Sequence, residues 1–318
     1  MPNWVENHLM MKGDKKIIKE LYERFRTDET DEYSGEYGID FNKILPMPES
    51  LNIESGSKSS KSHEIYNKFM GQKGLPDPNE SPEEFAEAEE KYFQELEKKQ
   101  ARCWEDMKSA HRSVITSGEK TWKEWLNDFT ATMKSDTPFP LYTEVSEYAR
   151  LFDEHEPTEE EINNLFDSFR KTHREYWDMG RTVYNNVIKY GAPTWYEWRI
   201  DNWGCKWEPD SCRFNEQLSI WSFQTPWSVP LPIIYKLAEM YPNIEFEIQY
   251  ADEDLGYNCG EFHLDYGKNE FTERVFQTQE DKDRFACDVW GYDYDEMVAE
   301  RYSESDQDNE AIPDENNG

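Results

Sequence analysis

The sequence is poor in basic residues. Lysine and arginine number 35 against 68 aspartates and glutamates, which gives a formal net charge of −33 at pH 7. So large a negative excess repels the phosphate backbone of nucleic acids. We therefore expect no direct DNA binding through a basic face, and we expect partners that present basic surfaces.

Cysteine is scarce and scattered, with five residues and no pair spaced as Cys-x-x-Cys. That pattern argues against a disulfide framework and against a zinc ribbon. Cys205 and Cys212 stand seven residues apart with no second pair beside them, which does not fit a metal site. We predict reduced thiols, as in a cytoplasmic protein, and neither a metal nor a cofactor.

Two further features are missing. No stretch approaches the roughly 20 apolar residues of a membrane-spanning helix, and the N-terminal "MPNWVENHLMMKG" lacks a basic segment followed by an apolar run. The glycines of "DEYSGEYGID" and "EDLGYNCGE" do not have the spacing of a phosphate-binding loop. We expect a soluble, unexported protein without a phosphate cradle.

The chain nevertheless has enough apolar residues, 36% of 318, for a substantial core. The first elements are a strand over residues 4–12 and an amphipathic helix over 14–25, whose apolar residues recur at helical spacing. We predict a second strand from Ile39 to Leu45, ended by Pro46, and a mobile loop between Ser50 and Ser62.

From Ser81 the pattern becomes helical. Ser81 and Thr158 are each followed three residues later by glutamate, which is typical of capped helix starts, and Gly191 ends the second of these helices. A further helix fits residues 120–133, where apolar residues recur every three or four positions. Residues from about 60 to 190 are therefore predicted to form a helical block.

After Gly191 the apolar period falls towards two. Strands are predicted over "TWYEWRIDNW", "LSIWSFQTPW", "IEFEIQYADE" and "GEFHLDYGK", with a short helix over "PLPIIYKLAEMYP". Without the helical block, the order is strand, helix, strand, then strand, strand, helix, strand. The predicted fold class is α+β, a ferredoxin-like antiparallel sheet with a large inserted helical block and an acidic C-terminal extension.

Several motifs carry a family resemblance. The stretches "MPNWVENHL", "WYEWRIDNWGCKW", "FQTPWSVPLP" and "YPNIEFEIQY", with the later Gly256 and Gly260, resemble the Api92-like family of phage and plasmid proteins. The resemblance covers roughly the first 50 residues and those from about 192 to 265. It implies a ferredoxin-like core and a phage or mobile-element origin, and it implies no established catalytic residues.

The domain boundaries follow from these patterns. Five segments are predicted: the first part of a ferredoxin-like domain, an inserted helical region, the second part of that domain, an acidic aromatic extension and a disordered acidic tail. In chain order they span residues 1–58, 59–190, 191–267, 268–302 and 303–318.

Tryptophan is concentrated between Thr194 and Asp210. Trp195, Trp198 and Trp203 cannot all lie on one face of a regular strand, so a bend is predicted at Gly204. Core packing of large rings accounts for most of this aromatic mass. An aromatic platform for a base or a peptide, with Lys206 or Arg199 as its basic companion, is the alternative.

Acidic residues concentrate at the C-terminal end, where residues 241–318 hold 23 acidic and five basic residues. Carboxylates there alternate with aromatic rings in "DVWGYDYDEM", a pattern that fits either an extension packed on its own sheet or a surface that binds basic proteins. The predicted partner-binding residues are Asp252, Glu253, Asp254, Asp288, Trp290, Tyr292, Asp293, Tyr294, Asp295 and Glu296.

The favoured function is that of a non-enzymatic counter-defence inhibitor. It would act in the bacterial host cytoplasm on a defence or nucleic-acid-handling protein, either by imitating DNA or by holding a complex inactive. The alternatives are a host-takeover enzyme or small-ligand or nucleotide binder, using either Cys259 and His263 or the tryptophan cluster, and a single-stranded nucleic-acid binder. For the last, the run "KSSKSHEIYNKFMGQK" offers basic charge.

Overall fold

The computed structural model describes residues 3–32, 34–74, 80–117, 124, 141–154 and 157–297. The chain divides into two compact units, one from the described parts of Met1–Pro48 and Tyr196–Gly318, the other from those of Glu49–Trp195. Apart from residue 124, the helix predicted over 120–133 lies outside the described residues. The tail predicted over 303–318 also lies outside them.

The first unit contains a six-stranded antiparallel sheet with the order β4-β5-β1-β6-β7-β8. A separate two-stranded ladder pairs β2 with β3. In chain order the strands are β1 (Trp4–Lys12), β2 (Arg26–Thr30), β3 (Tyr37–Ile39), β4 (Asp210–Asn215), β5 (Ile220–Pro226), β6 (Glu245–Asp252), β7 (Cys259–Asp265) and β8 (Glu270–Glu273).

The helices of this unit complete a β-α-β-β-α-β arrangement. They are α1 (Lys15–Phe25), α2 (Phe41–Ile44), α7 (Trp195–Trp203), α8 (Leu231–Met240) and α9 (Gln279–Trp290). When β1, β4, β5 and β6 are counted one to four along the chain, their order across the sheet is 4-1-3-2. This is the ferredoxin-like arrangement, so the predicted α+β fold class is confirmed.

Apolar and polar residues alternate along the strands, which gives this sheet one apolar and one polar face. Val5, Asn7 and Leu9 of β1 are fully buried, and their partners across β5 are Thr225, Phe223 and Trp221. Because facing residues of paired strands point to the same side, they share one layer with the buried residues of β6. Helices α1 and α8 complete this core with Ile18, Leu21, Phe25, Ile233, Ile234, Leu237 and Ala238.

The second unit is helical. It contains a short 3₁₀ turn (Glu49–Leu51) and the helices α3 (Ser57–Lys73), α4 (Pro82–Ser117), α5 (Leu141–Glu154) and α6 (Glu159–Tyr190). The backbone N–H of Ser81 donates to Glu84, and Thr158 forms the reciprocal bonds of a capping box with Glu161. Both capped starts are thus confirmed, as is the helix end at Gly191, which has φ 74°.

Three predicted segments are wrong. The strand predicted from Ile39 to Leu45 is mostly the helix α2, because the Asp40 side chain accepts a bond from Lys43 N and starts a helical turn. The loop predicted over Ser50–Ser62 gives way to α3 from Ser57 onward. "TWYEWRIDNW" is mostly the helix α7, in which Trp198 is buried and its carbonyl accepts a bond from Asn202 Nδ2.

In the parts of the chain that the structure describes, no helix combines the length and the apolar character needed to cross a bilayer.

The buried leucine of α8 provides a test of the core. We expect Leu237→Ala to lower the free energy of unfolding by about 2–5 kcal/mol, because the truncation leaves a cavity under the sheet. Leu218→Ala is the matched control, since Leu218 is 64% exposed and its change should stay within about 0.5 kcal/mol. Chemical denaturation followed by circular dichroism measures both, and equal effects would contradict this core.

Candidate interaction surface

The two acidic segments predicted to bind a partner lie next to each other. The indole Nε1 of Trp290, at the end of α9, donates to the carbonyl oxygens of Ala251 and Asp252 at 3.1 Å each. Since those carbonyls are the last of β6, the end of α9 is tied to the loop that begins at Asp252. The structure thus brings together residues that are about 40 positions apart in the chain.

An apolar cluster beneath these bonds holds the helix on the sheet. It occupies the otherwise polar face at the ends of β6 and β7, with Cys259 and Trp290 packed at its margin. Its buried members are Ala251, Leu255, Phe285, Ala286, Cys287 and Val289. The carboxylates around it are therefore carried by a packed scaffold.

Two of the predicted binding carboxylates have local structural contacts. Asp252 is buried, and it accepts bonds from Asn3 Nδ2 at 3.3 Å and Asp254 N at 2.9 Å. Asp293 accepts bonds from the backbone N–H groups of Asp295 and Glu296, which caps a helical turn. The exposed predicted carboxylates are Glu253, Asp254, Asp288, Asp293, Asp295 and Glu296.

The three predicted aromatic anchors differ in exposure. Trp290 is half-buried and stacks on Tyr292, with ring centroids 5.9 Å apart. Tyr294 is also half-buried, under the guanidinium of Arg284, which lies 4.0 Å from the ring centroid. Tyr292 is 46% exposed and is the only one of the three that is exposed rather than half-buried.

Sequence reasoning missed the beginning of α9, which adds further charge. Glu280, Asp281 and Asp283 belong to it, and the capping box between Thr278 and Asp281 was the signal that marks its start. With these, the loop 252–254 and residues 279–296 contain ten acidic and two basic residues. One of the bases, Arg284, pairs with Glu280 at 2.8 Å. We call the exposed carboxylates of these two segments the acidic surface.

Gly256 joins the loop after β6 to the start of α9. Its φ is +79°, and a Cβ there would lie 1.8 Å from Asp283 Oδ1. Gln279 Nε2 completes the junction by donating to the carbonyl of Gly256 at 3.0 Å and to Asp283 at 2.8 Å. A side chain at position 256 has no room unless the side chains of Asp283 and Gln279 move.

The tryptophans of the first unit are mainly core residues. Trp198, Trp203 and Trp221 are buried, and the predicted bend at Gly204 is present with φ 84°. Trp207 and Trp227 are exceptions, being 37% and 53% exposed. The Nζ of Lys206 lies 4.3 Å from the ring centroid of Trp207 and 5.5 Å from that of Tyr196. Lys206 therefore lies over the rings of Trp207 and Tyr196, which an aromatic platform for a base or a peptide would have to expose.

The residues of the enzyme alternative are not brought together. Cys259 and His263 stand four positions apart on β7, which separates their Cα atoms by about 13 Å. Burial raises the pKa of the Cys259 thiol, which disfavours the reactive thiolate. His263 instead lies 3.6 Å from the carboxylate of Glu245.

The polar sheet face does not favour single-stranded nucleic acid. Glu6, Glu247 and Glu261 lie on this face on three different strands, and carboxylates repel phosphates. In the second unit, the lysines of "KSSKSHEIYNKFMGQK" contact carboxylates. Lys61 and Lys68 pair with Glu64, and Lys58 pairs with Glu175.

The carboxyl group of Glu208 has a pKa near neutrality. Glu208 is half-buried and accepts a bond from Phe41 N at 2.8 Å, at the start of α2. Its pKa is raised to about 7, mainly by loss of solvation and also by the negative charge of Asp40, while the bond from Phe41 N and the charge of Arg199 oppose the shift.

Comparison with known proteins confirms the family resemblance over part of the chain. Residues 202–299 match the family model described as a ferredoxin-like domain in Api92-like protein. A crystal structure of a protein api92 from Yersinia pseudotuberculosis is similar over 87% of this chain and 100% of its own, at 11% identity and a TM-score of 0.32. No curated protein matches the chain. The family match extends beyond residue 265, so it includes α9 and the acidic surface.

The junction at Gly256 can be tested by adding one methyl group. We expect Gly256→Ala to lower the free energy of unfolding by about 2–3 kcal/mol, because it combines a left-handed backbone with displacement of Asp283. Gly291→Ala is the matched control, since Gly291 also has a positive φ but its Cβ meets nothing within 4 Å. Hydrogen exchange at the first turn of α9 should quicken only in Gly256→Ala. Equal exchange in both variants would contradict the junction.

Glu208 predicts a pH-dependent stability. Its pKa of about 7 in the folded protein exceeds the usual value of a glutamate. Ionisation of Glu208 therefore lowers the free energy of unfolding as pH rises from about 5 to about 8. Glu208→Gln removes the charge and keeps an acceptor for Phe41 N. We expect the free energy of unfolding of the variant to exceed that of the wild type by about 2–3 kcal/mol at about pH 8 and to equal it at about pH 5.

Thermal denaturation across this pH range, with Glu20→Gln at an exposed site as the control, measures the effect. If the Glu208→Gln variant shows the same pH dependence of stability as the wild type, the raised pKa of Glu208 is ruled out.

Proposed function

We propose, from the match of residues 202–299 to the ferredoxin-like domain of Api92-like proteins, that this chain is a non-enzymatic binding protein of a phage or mobile element. In this proposal the acidic surface docks on a basic, nucleic-acid-binding surface of a host protein in the bacterial cytoplasm. Occupation of that surface by carboxylates then inhibits the host protein.

One observation carries the proposal: the attachment of α9 to the end of β6. The bonds from Trp290 Nε1 and the apolar cluster below it fix two acidic segments side by side. Carboxylates held in place lose less conformational entropy on binding than carboxylates on a free chain. A fixed array of negative charge also accelerates association with a basic protein and makes that association sensitive to salt.

The exposure of individual side chains supports the same assignment. Asp288, Asp295 and Glu296 are exposed, and none of them forms an ion pair with another residue that the structure describes. Tyr292, which is 46% exposed beside them, offers a ring for contact within the charged region. Aromatic centres with charged margins are typical of protein interfaces.

The proposal predicts which substitutions abolish binding. We expect the triple variant Asp288→Asn, Asp295→Asn, Glu296→Gln to lose capture of a nucleic-acid-binding protein from lysate of the bacterial host. A second triple variant, Glu83→Gln, Glu87→Gln, Glu95→Gln on α4, removes the same number of exposed charges in the other unit and should retain capture.

The captured protein is then purified and tested for inhibition. We expect the wild-type chain to displace nucleic acid from it, with an affinity that falls at least about tenfold as the salt concentration rises from about 0.05 to about 0.5 M. Equal capture by the two triple variants, or an affinity that does not respond to salt, would contradict the proposal.

A further inference from the structure

Trp227 has an unusual backbone for a bulky residue. Its φ is 71°, in the left-handed region that side chains other than glycine rarely adopt. Contacts from distant segments hold it there. Its N–H donates to the carbonyl of Asn3 at 2.9 Å, and its own carbonyl accepts a bond from Asn258 Nδ2 at 3.3 Å. The conformation is therefore imposed by the surrounding fold.

The ring of Trp227 contributes little to the core, because the residue is 53% exposed. Tyr257, the residue before Asn258, is 82% exposed. Two large rings thus lie at the same end of the sheet and bury only part of their area. Strained backbone and exposed aromatic area, found together, are characteristic of binding sites rather than of packing.

Two exposed carboxylates belong to the loop that contains Tyr257. Glu253 and Asp254 are exposed in the same loop as Tyr257, whose N–H donates to the carbonyl of Asp254 at 3.2 Å. The N–H of Glu253 donates to the carbonyl of Trp4, next to Asn3. The backbone of Trp227 and the loop are consequently attached to two consecutive residues, Asn3 and Trp4, at the start of β1.

This combination suits one side chain of a partner above others. A guanidinium group stacks on aromatic faces, and the N–H groups at its edge donate paired hydrogen bonds to carboxylates. An ammonium group is more strongly hydrated and has no plane to stack. We propose that Trp227 and Tyr257, with Glu253 and Asp254, form the site that binds an arginine side chain of the partner protein. The inference rests on the proposed function and specifies the chemistry of its partner.

The test uses two labelled peptides of equal length and charge, one rich in arginine and one rich in lysine, and measures binding to the full chain by fluorescence anisotropy. We expect the arginine peptide to bind at least about fivefold more tightly. Trp227→Gly should abolish that preference. Because glycine adopts a positive φ without strain, the variant should be as stable as the wild type or more so.

Trp207→Gly is the matched control, since it removes another exposed tryptophan and should keep the preference. Tyr257→Ser is a second variant at an 82% exposed position, and it should weaken the preference without loss of stability. Equal binding of both peptides by the wild type, or an unchanged preference in Trp227→Gly, would overturn the proposal.

The two proposals fail in different ways. The peptide preference requires no host protein, so it can be present even when the triple variant at positions 288, 295 and 296 leaves lysate capture unchanged. That result would reject the proposed function and retain the arginine site. Salt-sensitive capture with no arginine preference would retain the function and reject this site.

Discussion

The first unit depends on the pairing of β1 along both of its edges. Seven of its residues face β5 and eight face β6, strands that lie more than 200 residues later. The buried Asn7 reinforces one of these edges, because its Nδ2 donates to the carbonyl of Phe223 and to Thr225 Oγ1. Every other strand of the sheet is connected to β1 through β5 or β6. The sheet on which the acidic surface lies therefore depends on the pairing of β1.

The sequence predicts those parts of the fold that depend on local chemistry. Capping side chains at Ser81 and Thr158 mark helix starts, and alternation in β6 marks a strand, because each signal involves neighbours in the chain. The error over residues 194–203 has the same origin. Trp195, Trp198 and Asn202 are spaced by three and four, which is a helical period, but the β propensity of aromatic residues favoured a strand.

The candidate surface was predictable in composition and unpredictable in arrangement. Charge counts locate the acidic residues, but no local pattern shows that Trp290 bonds to the carbonyl of Asp252, or that Asp252 is buried. The exposure of Trp227 is equally non-local, since it follows from contacts with Asn3 and Asn258. Sequence patterns rank residues by chemistry, whereas tertiary contacts decide which of them face a partner.

The position of β1 has a consequence for synthesis on the ribosome. About 200 residues separate its end from β5, so at about 5–20 residues per second the strand emerges roughly 10–40 s before its first partner. During that interval the helices of the second unit can form from local contacts, while β1 has no strand to pair with. Glu6 and Lys12 on its polar face place charge along the strand while it is unpaired. Charged side chains on an unpaired edge discourage pairing with other chains.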